Sequence, residues 1–167
     1  GKLNLLSRVG KSRIEVSKNF KFSKNPIEKE GESFVVITED KKKETISGNG
    51  KVTSKVLSVS GNYSFSVKGN TKVTLDDNLL RINGKLVELP FGVYKQPELF
   101  FANKTTYISI TETQESKVYV YDTAGSLLSG FPVFGTSSAA IAAFTKKEGL
   151  HIVVRGDDKE VLLYKMH

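Results

Sequence analysis

Apolar and polar residues alternate with a period of two along most of this chain. The pattern is clearest in SFVVITED (33–40), YSFSV (63–67), KVTLD (72–76), TYISITE (106–112), KVYVYD (117–122) and HIVVRG (151–156). Such alternation puts one face of each run toward a core and the other toward water, which is the mark of a half-buried strand. β-Branched and aromatic residues fill these runs, as a pleated, half-buried surface favours. Turn-forming pairs separate them at short intervals: Gly61-Asn62, Gly69-Asn70, Asp76-Asp77-Asn78 and Asn83-Gly84. Many short, evenly spaced strands predict an all-β sandwich, barrel or propeller. One stretch, TSSAAIAAFTKKEG (136–149), reads two ways. It is either a short helix capped by Ser137 or Ser138 and stopped at Gly149, or a strand of small side chains.

A repeat chooses between these readings. LLRINGKLVELPFG (79–92) and VYVYDTAGSLLSGFPVFG (118–135) share one order: an alternating strand, an Asn/Asp-to-Gly turn, a second strand, then Pro and Phe-Gly. Gly84 and Gly125 lie 41 residues apart, and Pro90 and Pro132 lie 42 apart. A weaker copy sits at Gly50-Lys51-Val52, and Gly1-Lys2-Leu3 leading to Val9-Gly10 resembles the end of another. Between these anchors the strands group into antiparallel fours of about 40 residues, the size of a propeller blade. The predicted units are 11–60, 61–92, 93–135 and 136–167. The last has three strands, AAIAAFT, LHIVVRG and EVLLYK. Residues 1–10 then read as a closing strand, which would remove a sheet edge. In the first unit NPIEKEGE (25–32) reads as an inserted loop and FKFSK as the first strand, while SRIEVS (12–17) finds no place. The predicted fold class is all-β: a β-propeller-like array of about four four-stranded antiparallel blades, whole or part of a larger propeller. The runner-up is a sandwich or barrel.

KVYVYDTAGSLLSGFPV (117–133) and GLHIVVRGDDKEVLLYK (149–165) resemble the PQQ-like and FG-GAP-like β-propeller repeats of bacterial secreted proteins. The resemblance is clear over about residues 83–165. It implies a blade rather than a function, and an extracytoplasmic, periplasmic or cell-surface location. FG-GAP-like repeats can bind calcium in an Asp-rich loop, through oxygen ligands at alternate positions. Here the matching loops are FTKKEG (144–149) and ANKTT (102–106). Lys146 and Lys147 stand where acids are needed, so no calcium is expected there.

Composition adds bounds. The 167 residues, 38% hydrophobic and 26% charged, suit one globular domain. No run approaches the length of a membrane helix. The absence of cysteine rules out disulfides, thiolate metal sites and a cysteine nucleophile. His151 and His167 are the only histidines, and no Gly-x-Ser-x-Gly elbow or phosphate-loop fingerprint occurs. No catalytic residue, cofactor site or metal site is expected. Asp157-Asp158 and Asp76-Asp77-Asn78 read as turn chemistry. Phe34, Phe65, Phe100, Phe101, Tyr119, Tyr121 and Tyr164 read as inter-blade core, and Phe91, Phe131 and Phe134 as blade spacers.

Net charge is +7 with a pI near 9.5. Its only dense run, Lys41-Lys42-Lys43, follows Glu39-Asp40 and precedes Glu44, so it reads as a partly neutralised hairpin tip or a basic patch. Tyr94 and Tyr107, near strand ends, complete the candidate binding face. The sequence therefore predicts a non-catalytic interaction or scaffold module with a protein partner. The alternatives are a basic surface for nucleic acid, acidic polysaccharide or an anionic membrane, and an accessory domain of an enzyme whose active site lies elsewhere. Self-association is expected if a ring is incomplete.

Overall fold

The computed structural model describes residues 2–6, 13–143 and 149–166. They form two compact units, Gly1–Val59 and Ser60–His167. The described secondary structure is entirely β.

In the first unit β1 (Lys2–Leu6) pairs antiparallel with β2 (Arg13–Asn19). That pairing gives SRIEVS a partner the repeat pattern did not supply. A four-stranded antiparallel sheet follows, in the order β3 (Glu28–Glu30), β4 (Ser33–Ile37), β5 (Lys42–Ser47), β6 (Val52–Val56). Its first strand is therefore Glu28–Glu30, inside the segment predicted as an inserted loop. FKFSK makes only a single bridge, Phe22 to Thr38. The pattern misled because a sheet edge tolerates charge: Glu28, Lys29 and Glu30 show no apolar alternation. Phe20, Val36 and Ile46 bury the core of this unit, with Val52 against them.

The second unit stacks three sheets. The first has the order β7 (Ser64–Lys68), β8 (Thr71–Asp76), β9 (Leu79–Ile82), β10 (Lys85–Glu88). The second runs β11 (Glu98–Ala102), β12 (Thr105–Glu112), β13 (Lys117–Tyr121), β14 (Val133–Phe134). The third has three strands, β15 (Ala140–Ala143), β16 (Leu150–Arg155) and β17 (Val161–Lys165). The ambiguous alanine-rich stretch is thus a strand over Ala140–Ala143. The first strands of neighbouring sheets meet, β7 against β11 and β11 against β15.

Two cores fill the spaces between these sheets. Val73, Leu75, Leu80 and Ile82 pack on Ile108, Ile110, Tyr119 and Tyr121. Val118 and Val120, from the other face of β13, pack on Leu150, Ile152 and Val154. Alternation along β13 therefore feeds one core with tyrosines and the other with valines. Each of these side chains contributes about 1.5–3 kcal/mol by burial. Phe65, Tyr119 and Tyr121 are core residues as predicted, but Phe34 and Phe101 are exposed, the latter at 63%.

The repeated glycines occupy one structural position. Gly50, Gly84 and Gly125 each lie in the turn between the third and fourth strands of a sheet, with φ of 84°, 89° and 77°. That left-handed region is costly for residues with a Cβ, which explains the recurrence. Asn83-Gly84 is a two-residue turn, both residues at positive φ. Around Gly125, Asp122 Oδ1 accepts the backbone N–H groups of Ala124 and Ser126 at 2.9 and 2.8 Å.

Candidate functional site

The lysine run lies on the β4–β5 hairpin of the first unit. Lys41 occupies the turn with φ of 57° and donates through Nζ to the Val59 carbonyl at 2.8 Å. Lys42 pairs with Asp40. That bond, with one from Thr38, holds Asp40 down at about 2 and raises Lys42. Lys43 pairs with Glu30 across the sheet at 2.6 Å, both side chains largely withdrawn from water. The run is thus laced to carboxylates and carbonyls of its own unit.

The two tyrosines sit in the second unit on different sides of one sheet. Tyr94 bridges to Glu112 and packs against the core shared by the first two sheets. Its hydroxyl donates to the Pro90 carbonyl at 2.7 Å. Its ring lies 6.4 Å from that of Tyr119, which stacks on Tyr121 at 6.5 Å. Burial pushes all three phenols up, Tyr121 to about 12, so they stay protonated near neutrality. Tyr107 packs against the other core, with Val118 and Val120. The structure does not bring Tyr94 and Tyr107 onto one face.

The site of greatest constraint is Glu112, a residue that no motif or periodicity singles out. It is 3% exposed at the end of β12. Its Oε1 accepts the N–H groups of Val93 at 3.0 Å and Gln114 at 2.9 Å, and its Oε2 accepts that of Glu115 at 2.6 Å. Burial alone would raise its pKa, but the three donors outweigh it and hold the group below the ordinary value. Gly92 lets the chain pass: a Cβ there would lie 2.7 Å from the Glu112 side chain. Glu112 therefore ties the β10–β11 connection to the β12–β13 turn. The half-buried Glu98 differs. Burial raises it, against bonds from Ser138 and the Ala139 backbone and the charge of Lys95. The Glu98–Ser109 pair puts Glu98 on the sheet face opposite Glu112, so the two do not form a carboxylate dyad.

Phe-Gly exits mark the crossings between sheets, but the glycine, not the phenylalanine, fits the joint. A Cβ on Gly135 would lie 2.8 Å from Val154 and 2.9 Å from Val118, on the two sheets it joins. Phe91 is 95% exposed and Phe134 42%. Only Phe131 packs into a core. ANKTT is a tight turn, with Asn103 and Lys104 at φ of 49° and 63°. Most of FTKKEG, residues 144–148, and His167 lie outside the described residues. Among the described residues no three His, Asp or Glu cluster as metal ligands. His151 lies within β16, paired with Ala142 and Lys165.

Four successive antiparallel sheets, one in the first unit and three stacked face to face in the second, are the observation that decides the architecture. The fold is an array of propeller-like blades. Solved structures agree. The computationally designed Ika4 protein is similar with a TM-score of 0.55 at 14% identity, over 89% of this chain and 96% of its own. BamB from Moraxella catarrhalis, a PQQ-like β-propeller, is similar with a TM-score of 0.55 at 15% identity, over 99% of this chain and 55% of its own. BBS1N, solved in complex with ARL6DN, gives a TM-score of 0.51 at 14% identity, over 84% of this chain and 49% of its own. The chain thus spans about half the length of those two propeller chains. No family model and no curated protein sequence matches it. Blade 1 is β3–β6, blade 2 β7–β10, blade 3 β11–β14 and blade 4 β15–β17.

Proposed function

We propose that the chain is a non-catalytic interaction module built of propeller blades, with a protein partner. The carrying observation is where its apolar side chains stay in water. Phe91 is 95% exposed and Val93 54%, both on the connection between blades 2 and 3. This connection is held rigid by Glu112 and by the Tyr94 hydroxyl. A fixed loop that displays an aromatic ring presents an anchor at little ordering cost. The most constrained carboxylate, Glu112, has both oxygens committed to backbone donors and supports structure rather than proton transfer. BBS1N, a similar fold, was solved with a protein bound. An extracytoplasmic setting accords with the resemblance to PQQ-like and FG-GAP-like repeats.

The test is a photo-cross-linking side chain at Phe91, with Lys72, exposed on blade 2, as control position. A discrete cross-linked protein from Phe91 and none from the control is the expected result. No cross-link from Phe91, Val93 or Phe101, together with turnover in a general hydrolase or oxidoreductase screen, would overturn the reading. The second reading, an acidic polymer on a basic surface, is favoured only by the +7 charge.

A further inference from the structure

An antiparallel meander sends its turns alternately to its two ends. In the second unit the turns β7–β8, β9–β10 and β11–β12 and the turn after β13 therefore share one end, and the turns β8–β9 and β12–β13 share the other. Contacts between blades agree. Lys85 Nζ, beside the Asn83-Gly84 turn, donates to the Ala124 carbonyl in the turn after β13 at 2.7 Å. At the other end Thr111 Oγ1 donates to the Ser137 carbonyl, ahead of β15, at 3.1 Å. Charge follows this division. Lys68, Lys72, Lys85, Lys104 and Lys165 stand at the first end. Among the described residues of this unit the one carboxylate there is Asp122, whose Oδ1 accepts two backbone N–H groups. Asp76, Asp77, Glu112, Glu115, Asp157 and Asp158 belong to the other end, where Lys95, Lys117 and Lys159 offset only part of their charge.

One aromatic ring stands in water at the basic end. Phe101 is 63% exposed, beside the Asn103-Lys104 turn. It shares a face of β11 with Leu99, which packs on the core between blades 2 and 3. Lys68 shares a face of β7 with Ser66, whose Oγ donates to the Pro97 carbonyl, just ahead of β11, at 2.7 Å. Phe101 and Lys68 thus border one seam, between two blades that each have four strands. Lys104 stands in the turn beside it. Among the described residues no ion pair engages Lys68 or Lys104. Lys72 is one residue out of phase with the core residue Val73, so it lies on the opposite face of blade 2.

We propose that this end of the seam between blades 2 and 3 docks an acidic segment of a partner protein that carries an apolar side chain between its acids, resting on the reading of the chain as an interaction module. The apolar side chain covers the Phe101 ring, and the carboxylates flanking it meet Lys68 and Lys104. One ring between two free cations suits such a segment better than a nucleic acid, which takes a row of cations and several stacking rings. The site lies at the opposite end of the strands from Phe91, so it is a second contact surface and not an extension of the first.

The probe is a capped Asp-Glu-Leu-Asp-Glu peptide added to the full chain and followed by amide NMR shifts. The expected result is a set of shifts centred on Lys68, Phe101 and Lys104. Serine in place of the peptide's leucine, or Phe101→Ser at its exposed position, is expected to weaken binding at least roughly tenfold with every charge in place. Lys68→Glu combined with Lys104→Glu is expected to weaken it at least as much. Lys72→Glu, at the same end but on the other face, should change affinity less than about threefold. Absence of shifts at millimolar peptide would overturn the proposal. So would equal binding of the serine peptide, or an equal loss in Lys72→Glu, since either would mean general charge attraction. Tighter binding of a short oligothymidylate at the same amides would give the site to nucleic acid and overturn it too. If the peptide fails while Phe91 still captures a partner, this site falls and the interaction reading stands.

Discussion

At the scale of single residues, Glu112 and Gly135 show how the connections are held. The Glu112 carboxylate accepts three backbone donors. Glu112→Gln keeps the shape but turns one acceptor into a donor facing an N–H group. It is expected to cost about 2 kcal/mol in urea unfolding. The pH dependence has a definite sign. The folded group titrates below its ordinary value of 4.5, so its stabilisation is complete above that value and is lost as pH falls through the folded value. Stability of the wild type should therefore drop on acidification below about pH 4.5, and the Gln variant should drop less. An equal acid loss in both would show that Glu112 titrates alike in the folded and unfolded chain, so that its three bonds do not favour the charged form. Gly135→Ala puts a methyl group within 2.8 Å of Val154 and is expected to lower stability by about 1–3 kcal/mol. A neutral result would mean the joint between blades 3 and 4 gives way easily. Sequence pattern marked these Phe-Gly pairs but assigned the joint to the ring. The reason is physical: an empty Cβ position leaves no trace in hydrophobicity, whereas a phenylalanine always looks like core.

At the scale of elements, strands and turns were largely legible because each carries its own local signal. Period-two alternation marked β4, β7, β8, β12, β13 and β16. Repeated glycine marked the turns at positive φ. Elements defined only by their neighbours escaped. β3 is charged and pairs at an edge, so nothing in Glu28–Glu30 announces it. The fourth strand of blade 3 is split. Leu127 bridges Tyr121 and Leu128 donates to Val120, but Val133 is the next residue in register, opposite Val118. Ser129–Pro132 loops out between them, turning at Gly130 with φ of 84°, although SGFP reads as continuous strand beside KLVELP. The turn at 103–104 yields a sharper test. Lys104 sits at φ of 63° with an ordinary side chain. Lys104→Gly relieves the left-handed penalty and should raise stability by up to about 1 kcal/mol, read as a higher thermal midpoint. A fall in midpoint would mean the Lys104 side chain holds β11 and β12 together more strongly than its backbone opposes them. Of the candidate site, only the Lys42–Asp40 pair was legible, because its acid lies two residues away; Lys43 meets Glu30 on another strand and Lys41 the Val59 carbonyl, partners that the fold brings in. Glu112 was not, because its donors come from residues 93, 114 and 115 and only the fold assembles them.

At the scale of the whole chain, the question is whether a charge of +7 makes a binding surface. Net charge draws in anions, but affinity for a polyanion grows with the number of cations that can touch it together. Several lysines are already engaged. Lys42, Lys43 and Lys117 pair with Asp40, Glu30 and Glu115. Lys41, Lys85 and Lys95 donate to the carbonyls of Val59, Ala124 and Thr136. Exposed pairs of this kind are worth little to stability, yet each must be given up before its lysine can hold a phosphate. Binding to a 12-base-pair duplex should therefore use only two or three cations. Its log–log salt slope should be no steeper than about −3, with affinity too weak to measure near physiological salt. A slope of about −6 or steeper would show that the cations act as one surface, and the acidic-polymer reading would then displace the protein-partner reading. With a shallow slope, long-range charge serves the proposed partner differently. It speeds the approach of an acidic partner, while apolar contacts such as those of the exposed Phe91 and Val93, which salt barely screens, hold it.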